Sequence, residues 1–196
     1  MQEPTCMKCG KTLLDENALY CTDCQETAHA YVRGFGLYVY ETIKASLYRY
    51  KYEGRREYAS FFAAQIANRW GSVLESLGAD GIVPVPIAEE KLLSRGYNQA
   101  YLIADALGKR LGIPVYDGLV RRVKSTKPMK ELGPKERKDN LKGAFKLCPN
   151  DVKLETIIVL DDIYTTGSTV DAVCKVLQSG GVRECYVITL AIGKGI

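Results

Sequence analysis

One segment constrains the fold of this chain more than any other. An apolar run, Thr156 to Leu160, ends in two adjacent carboxylates, Asp161 and Asp162. After Ile163 and Tyr164 come five small residues, Thr165, Thr166, Gly167, Ser168 and Thr169, and then an amphipathic stretch from Val170 to Leu177. That order predicts a buried strand, a loop and a helix beginning at the loop. Free N–H groups at a helix N-terminus, with threonine and serine hydroxyls beside them, form a pocket for a phosphate. The carboxylate pair would repel that phosphate. It suits a sugar's vicinal hydroxyls, or a divalent cation that accompanies the phosphate. A phosphorylated ribose asks for all of these groups. The lysine of a G-x-x-x-x-G-K-[ST] loop is missing and no G-x-G-x-x-G occurs, so those two nucleotide folds are set aside.

The chain has 196 residues, 46% of them hydrophobic and 26% charged, enough for one sizeable core and a small appendage. No apolar run approaches the roughly 18 residues of a membrane span. The first residues, Met1 to Cys6, carry no apolar targeting core. A cytoplasmic protein is expected, where structural disulfides are rare.

Four of the seven cysteines therefore read as metal ligands. Cys6 and Cys9 form one C-x-x-C pair, Cys21 and Cys24 a second, with eleven residues between the pairs. Each pair can turn two thiolates onto one ion, and four sulfurs close a tetrahedral zinc site. Gly10 supplies a residue able to take positive φ in the first knuckle. A redox use is the rival, but no βαβ pattern surrounds the pairs. A structural zinc ribbon over residues 1–30 is expected, because so few residues cannot build a core alone. Cys148, Cys174 and Cys185 read as buried small apolar residues. His29, the sole histidine, reads as a surface or linker position just past the ribbon.

Residues 31–196 form the second unit. The patterns predict a strand over Arg33 to Tyr40 and helices over Thr42 to Tyr48 and Arg56 to Leu77. A strand from Ile82 to Ile87 precedes helical residues Glu89 to Leu111, interrupted at Gly96. Short strands follow near Val115 to Val120 and Ala144 to Leu147, separated by a charged loop with two prolines. After the Asp161–Thr169 segment and its helix, Cys185 to Ile192 closes as a strand. Strands alternating with helices imply an α/β fold with a mostly parallel sheet and flanking helices. Ligands in such sheets bind beyond the carboxyl ends of the strands.

The net charge of +4 is unevenly spread. Residues 121–146 hold ten Lys or Arg against three acidic residues, a net of +7. A second basic cluster, Arg49, Lys51, Arg55 and Arg56, is interleaved with Tyr48, Tyr50, Tyr52 and Tyr58. Cations beside stacking rings make an unspecific surface for single-stranded nucleic acid. A half-buried helix whose tyrosines pack while its charges stay in water gives the same pattern. The 121–146 charges fit a loop closing over an anionic ligand equally well.

Further motifs join the site segment: Lys51-Tyr52-Glu53-Gly54-Arg55, Val83-Pro84-Val85-Pro86 and Arg95-Gly96-Tyr97-Asn98-Gln99, then Arg137, Asn140 and Gly143-Ala144-Phe145. The Asp161–Thr169 segment resembles the ribose-phosphate loop of type I phosphoribosyltransferases. With the four-cysteine ribbon, the whole chain resembles the ComF (ComFC-type) family of bacterial competence proteins. Met129 departs from it, standing where the family often has a glutamine.

The resemblance implies a type I phosphoribosyltransferase-like domain with an N-terminal zinc ribbon. It implies that Asp161 and Asp162 are the catalytic carboxylates, contacting the ribose of phosphoribosyl pyrophosphate (PRPP) beside its magnesium. Thr165, Thr166, Gly167, Ser168 and Thr169 would wrap the 5′-phosphate, and Arg95 would face the pyrophosphate. It also implies a role in DNA uptake, with single-stranded DNA, a competence helicase and other uptake proteins as candidate partners. The DNA contacts expected from the basic clusters are Lys51, Tyr52, Arg55, Lys124, Lys127 and Lys130. An active phosphoribosyltransferase with an unidentified base or amine acceptor is the alternative, and no motif marks an acceptor site.

Overall fold

The computed structural model describes residues 4–124 and 140–193. Lys127 and Lys130, with Met129 and Arg137, lie outside the described residues.

The main sheet has four parallel strands in the order β1 (Arg33–Val39), β6 (Glu184–Ile192), β5 (Thr156–Tyr164) and β2 (Gly81–Pro84). Helix α2 (Tyr40–Tyr52) follows β1 directly, and α3 (Tyr58–Ser76) leads to β2. Two helices follow, α4 (Glu89–Arg95) and α5 (Gln99–Leu111). A small antiparallel pair, β3 (Val120–Arg122) and β4 (Phe145–Leu147), precedes β5, and α6 (Ser168–Ser179) connects β5 to β6. The expected α/β class with a parallel sheet and flanking helices is the one adopted.

Alternation along the central strands sorts their side chains into two cores. Ile157 and Val159 of β5 and Val187 of β6 enter one core, with Val170, Val173 and Leu177 of α6. Ile158 and Leu160 of β5 and Ile188 of β6 enter the other, with Phe62 and Ile66 of α3 and Ile103 and Leu107 of α5. Both faces are covered, so the strands read as continuous apolar runs. Each such aliphatic burial contributes about 1.5–3 kcal/mol.

Several element bounds differ from the sequence expectation. Strand β2 stops at Pro84, since Pro84 and Pro86 lack the N–H a ladder needs. Gly96 takes φ 75° and ends α4, while Asn98 accepts from Ala100 N at 3.1 Å and caps α5. The strand expected at Val115 to Val120 shrinks to a single bridge between Val115 and Ile82. Gly118 at φ 92° turns the chain there, and pairing resumes at Val120. Strand β5 runs to Tyr164, four residues past Leu160, because β6 continues beside it to Ile192.

The ribbon has its own local hydrogen bonds, including Cys6 N to Lys11 O (2.7 Å) and Gly10 N to Cys6 O (2.9 Å). A one-turn helix, α1 (Thr22–Glu26), carries Cys24. Gly10 adopts φ 78°, and a Cβ there would lie 3.0 Å from the carbonyl oxygen of Gly34 in β1. Cys6, Cys9 and Leu13 are buried in the same core as Val170 and Val187. The chain passes from ribbon to sheet with Val32 N donating to Cys185 O at 2.7 Å.

Candidate functional site

Asp161 and Asp162 lie on the carboxyl-terminal half of β5, on the strand itself rather than in the loop after it. Neighbouring side chains on a strand point to opposite faces. Asp162 meets Lys51 of α2, with Oδ2 and Nζ 2.7 Å apart and both side chains about 15% exposed (15% and 16%). Asp161 accepts from Asp162 N at 2.8 Å and is faced by Arg122 of β3 and by Lys51. Burial, and then the Asp162 charge, push the Asp161 carboxyl up to about 7; Lys51 and Arg122 pull the other way.

Opposite the pair, α4 places Lys91 and Arg95 one turn apart on one face. Together with Lys51, Tyr52, Gly54 and Ser94 they line a cavity of about 410 Å³. The Lys91 ammonium is held below its ordinary range, first by desolvation and then by Arg122, Arg95 and Lys51. Crowded cations of this kind favour a multiply charged anion between them. Arg95 donates to Gln99 Oε1 (3.1 Å) and to the Tyr52 hydroxyl (3.2 Å), and stacks 4.8 Å above the Tyr52 ring.

A second cavity, about 420 Å³, shares Lys51 and Tyr52 with the first and is also lined by Tyr40, Leu47, Tyr48 and Ile163. The two expectations for the tyrosines divide along the chain. Tyr31 and Tyr50 are buried, and the Tyr50 hydroxyl donates to Gln99 O at 2.8 Å. Tyr48 and Tyr52 are each 58% exposed, with ring centres 5.1 Å apart.

Beyond β5 the loop turns at Gly167, which takes φ 79° as the residue before α6. A Cβ at Gly167 would sit 2.6 Å from the Tyr164 hydroxyl, so glycine is required by both conformation and space. Thr166 and Ser168 hydroxyls lie 2.9 Å apart at the first turn of the twelve-residue α6. Thr165 is exposed, and Thr166, Ser168 and Thr169 are half-buried.

His29 is not on the surface. Its side chain is 1% exposed, against the sequence expectation, and Nδ1 lies 2.7 Å from Asp171 Oδ2 on the first turn of α6. Proximity to the ribbon in sequence hid a contact made with a residue 142 positions away.

The four ribbon sulfurs all lie within 4.8 Å of one another, with Cys9 and Cys21 Sγ 3.7 Å apart. Four thiolates around a tetrahedral ion with 2.3 Å bonds would be roughly 3.8 Å apart, so the cluster fits zinc. Cys174 and Cys185 are buried as expected, and Cys148 is half-buried.

Of the expected DNA contacts, Lys51 and Tyr52 fall in the cation cavity, Arg55 is paired with Glu57 at 3.3 Å on the surface, and Lys124 is exposed. Sequence reasoning missed Lys91 and Arg122. Lys91 stands four residues before Arg95 in a helical stretch, a signal that was available. Arg122 is adjacent to the site only through tertiary packing.

No family model matches the chain. It is 33% identical over 198 residues to competence protein F of Haemophilus influenzae, covering 96% of this chain and 84% of that protein. Identity to the DNA utilization protein YhgH of Salmonella typhi is 32%, over 72% of this chain and 63% of the relative. For competence protein ComFC of Bacillus subtilis it is 28%, over 74% and 58%. Among solved structures, an adenine phosphoribosyltransferase aligns over 67% of this chain and 69% of its own, at 15% identity and a TM-score of 0.42. A hypoxanthine phosphoribosyltransferase from Staphylococcus aureus aligns over 68% and 64%, at 17% identity and a TM-score of 0.41. Among the described residues no helix is long and apolar enough to cross a membrane.

Proposed function

Because the chain belongs to the ComF family of competence proteins, we propose that it is an accessory of DNA uptake in natural transformation. In this reading it handles single-stranded DNA in the cytosol, and the loop from Thr165 to Thr169 holds the 5′-phosphate of PRPP or ribose 5-phosphate. One observation carries the pocket: Lys51, Lys91 and Arg95 crowd a cavity beside two carboxylates, at the carboxyl end of a strand that continues into a phosphate-type loop.

The parts divide the ligand chemically. Free N–H groups at the start of α6, with the Thr166 and Ser168 hydroxyls, suit the 5′-phosphate. Asp161 and Asp162 suit the ribose hydroxyls and are the oxygen donors available to magnesium, which neutralises pyrophosphate charge when bound. Lys51, Lys91 and Arg95 suit the pyrophosphate. Calorimetry with PRPP–Mg²⁺ tests this. Binding should weaken at least tenfold, about 1.4 kcal/mol, in Thr166→Ala or in Asp161→Asn/Asp162→Asn. Failure of both PRPP and ribose 5-phosphate to bind at millimolar concentration would remove the pocket and leave only the DNA role.

A second reading is favoured by the tyrosine-lined cavity that adjoins the first through Lys51 and Tyr52. It has room for a flat acceptor, which would make the protein a working phosphoribosyltransferase. As the bond from ribose C1 to pyrophosphate breaks and the acceptor nitrogen bonds to C1, positive charge develops on the ribose. The carboxylates would stabilise that charge, and the cations would stabilise the departing pyrophosphate. Pyrophosphate release from PRPP and Mg²⁺, assayed across a panel of bases and amines, separates the two readings.

A further inference from the structure

Four contacts tie the end of the ribbon to the phosphate loop and its helix. His29 Nδ1 meets Asp171 Oδ2 at 2.7 Å, and the other oxygen of Asp171 accepts from Ala30 N at 2.9 Å. Gln178, two turns further along α6, donates to Ala30 O at 2.9 Å. The Tyr31 and Tyr164 hydroxyls are 2.8 Å apart, and Tyr164 is the last residue of β5 before the loop. The His29 ring stacks on Tyr31 with centres 5.0 Å apart and planes 23° apart. Its Cε1 lies 3.0 Å from the point a Cβ on Gly167 would occupy, so the ring edge is the floor beneath the turn of the loop.

One atom among these contacts carries a cost. His29 is the sole histidine, its side chain is 1% exposed, and Nε2 is buried with no hydrogen-bond partner among the described residues. An apolar side chain of similar size would fill the space and remove the orphaned Nε2, but it would leave Asp171 Oδ2 without its partner. What it would not do is hold the Asp171 carboxylate. Asp171 lies in the first turn of α6, and its N–H is already committed to Gly167 O at 2.8 Å. Fixing its side chain from below fixes the turn that presents the remaining free N–H groups.

We propose that His29 is a positioning residue of the phosphate loop: by holding Asp171 and flooring Gly167, it makes the ribbon a structural part of the ribose-phosphate site. The inference rests on the proposed phosphate pocket. It predicts that loop geometry, and with it phosphate affinity, depends on a side chain that never touches the ligand.

The test uses the full chain and ribose 5-phosphate, which engages the loop without the cation cavity. In His29→Ala, affinity by calorimetry should fall at least fivefold. In His29→Asn the side-chain amide replaces the Nδ1 donor, and affinity should return to within about twofold of the parent. Bound zinc and thermal midpoint are measured alongside. A purely structural role would lower the midpoint of both variants while leaving the affinity of the folded fraction unchanged, and that result overturns the proposal. If the parent itself fails to bind ribose 5-phosphate, the phosphate reading fails, and the clamp is judged on amide exchange instead. In His29→Ala, exchange at Thr166 to Thr169 should then accelerate at least tenfold while α5 amides stay as in the parent. Unchanged loop exchange would overturn the clamp on its own account.

Discussion

The two sides of the β5–α6 junction are built on opposite principles. Behind the loop, His29, Ala30, Tyr31, Tyr164 and Asp171 pair with one another through hydrogen bonds within the chain. In front of it, Lys51, Lys91 and Arg95 crowd an open cavity whose charge balance invites an added anion. The back fixes shape through burial and hydrogen bonds; the front gathers cations around open space, with Lys51 paired to Asp162. A phosphate site needs both, because donors that must be organised at the moment of binding bind more weakly than donors already in place.

The largest effect should come from attacking the back at its root. Cys6→Ser/Cys24→Ser should abolish zinc, measured by elemental analysis against about one equivalent in the parent. It should also lower the thermal midpoint of the whole chain by more than about 10 °C, since small four-cysteine units fold on their ion. Cys6, Cys9 and Leu13 belong to the core that includes Val170 and Val173, so the damage should reach α6. Loss of zinc with an intact phosphate loop would show that the two sides are independent after all.

Attacking the front should do the reverse. Lys91→Ala/Arg95→Ala should weaken PRPP–Mg²⁺ about a hundredfold, roughly 2.7 kcal/mol. The thermal midpoint should hold or rise, because mutual repulsion among the cations is relieved. Ribose 5-phosphate, lacking the pyrophosphate, should lose much less. Equal losses for the two ligands would mean that the cavity does not receive the pyrophosphate.

The contrast between back and front also decides what could be read from the sequence. The strand–loop–helix was legible because its signals are local: an unbroken apolar run in Ile157 to Leu160, glycine at the turn, and an apolar stripe at Val170, Val173, Cys174 and Leu177. The ribbon was legible because metal ligands have fixed spacing. Arg95 stands in a motif, whereas Lys91, one helical turn before it, is marked only by its spacing. Arg122 and His29 were not legible in any local sense. Arg122 approaches Asp161 through the β3–β4 pair, and His29 finds Asp171 only when α6 packs beside the ribbon. Strand β5 continues to Tyr164 because β6 accompanies it, which no pattern within Ile163 to Thr169 announces.

Asp161 carries a smaller effect with a definite sign. Its folded carboxyl is raised to about 7 from an ordinary 3.8. The proton is therefore bound more tightly in the folded chain, and the stability this supplies is present near pH 4 and lost as pH rises toward 7. Asp161→Asn should leave stability near pH 4 unchanged. At pH 8 it should raise the midpoint by several degrees, at roughly 2–4 °C per kcal/mol for a chain of this size. Thermal scans across that range decide it; a midpoint raised equally at both pH values would mean that the carboxyl is not held protonated.

The smallest effect concerns DNA, where front and surface meet. Tyr52 and Lys51 line both cavities, so a single strand stacked on Tyr48 or Tyr52 would lie across the entrance to the cation site. Tyr52→Ala should cost about tenfold in affinity for unstructured single strands at every salt concentration, within the usual range for one stacked base. Replacing Lys124, Lys127 and Lys130 with alanine should instead flatten the salt dependence by about 2 in the log–log slope, at roughly 0.7 per phosphate contact. Saturating PRPP–Mg²⁺ should weaken DNA binding if the strand crosses the cavity mouth, and DNA must then weaken PRPP binding by the same factor. Filter binding and calorimetry on the same preparation measure the two factors independently. Undiminished DNA affinity at saturating PRPP would place the strand elsewhere on the surface, and a salt-independent affinity would remove the basic segment from the DNA role.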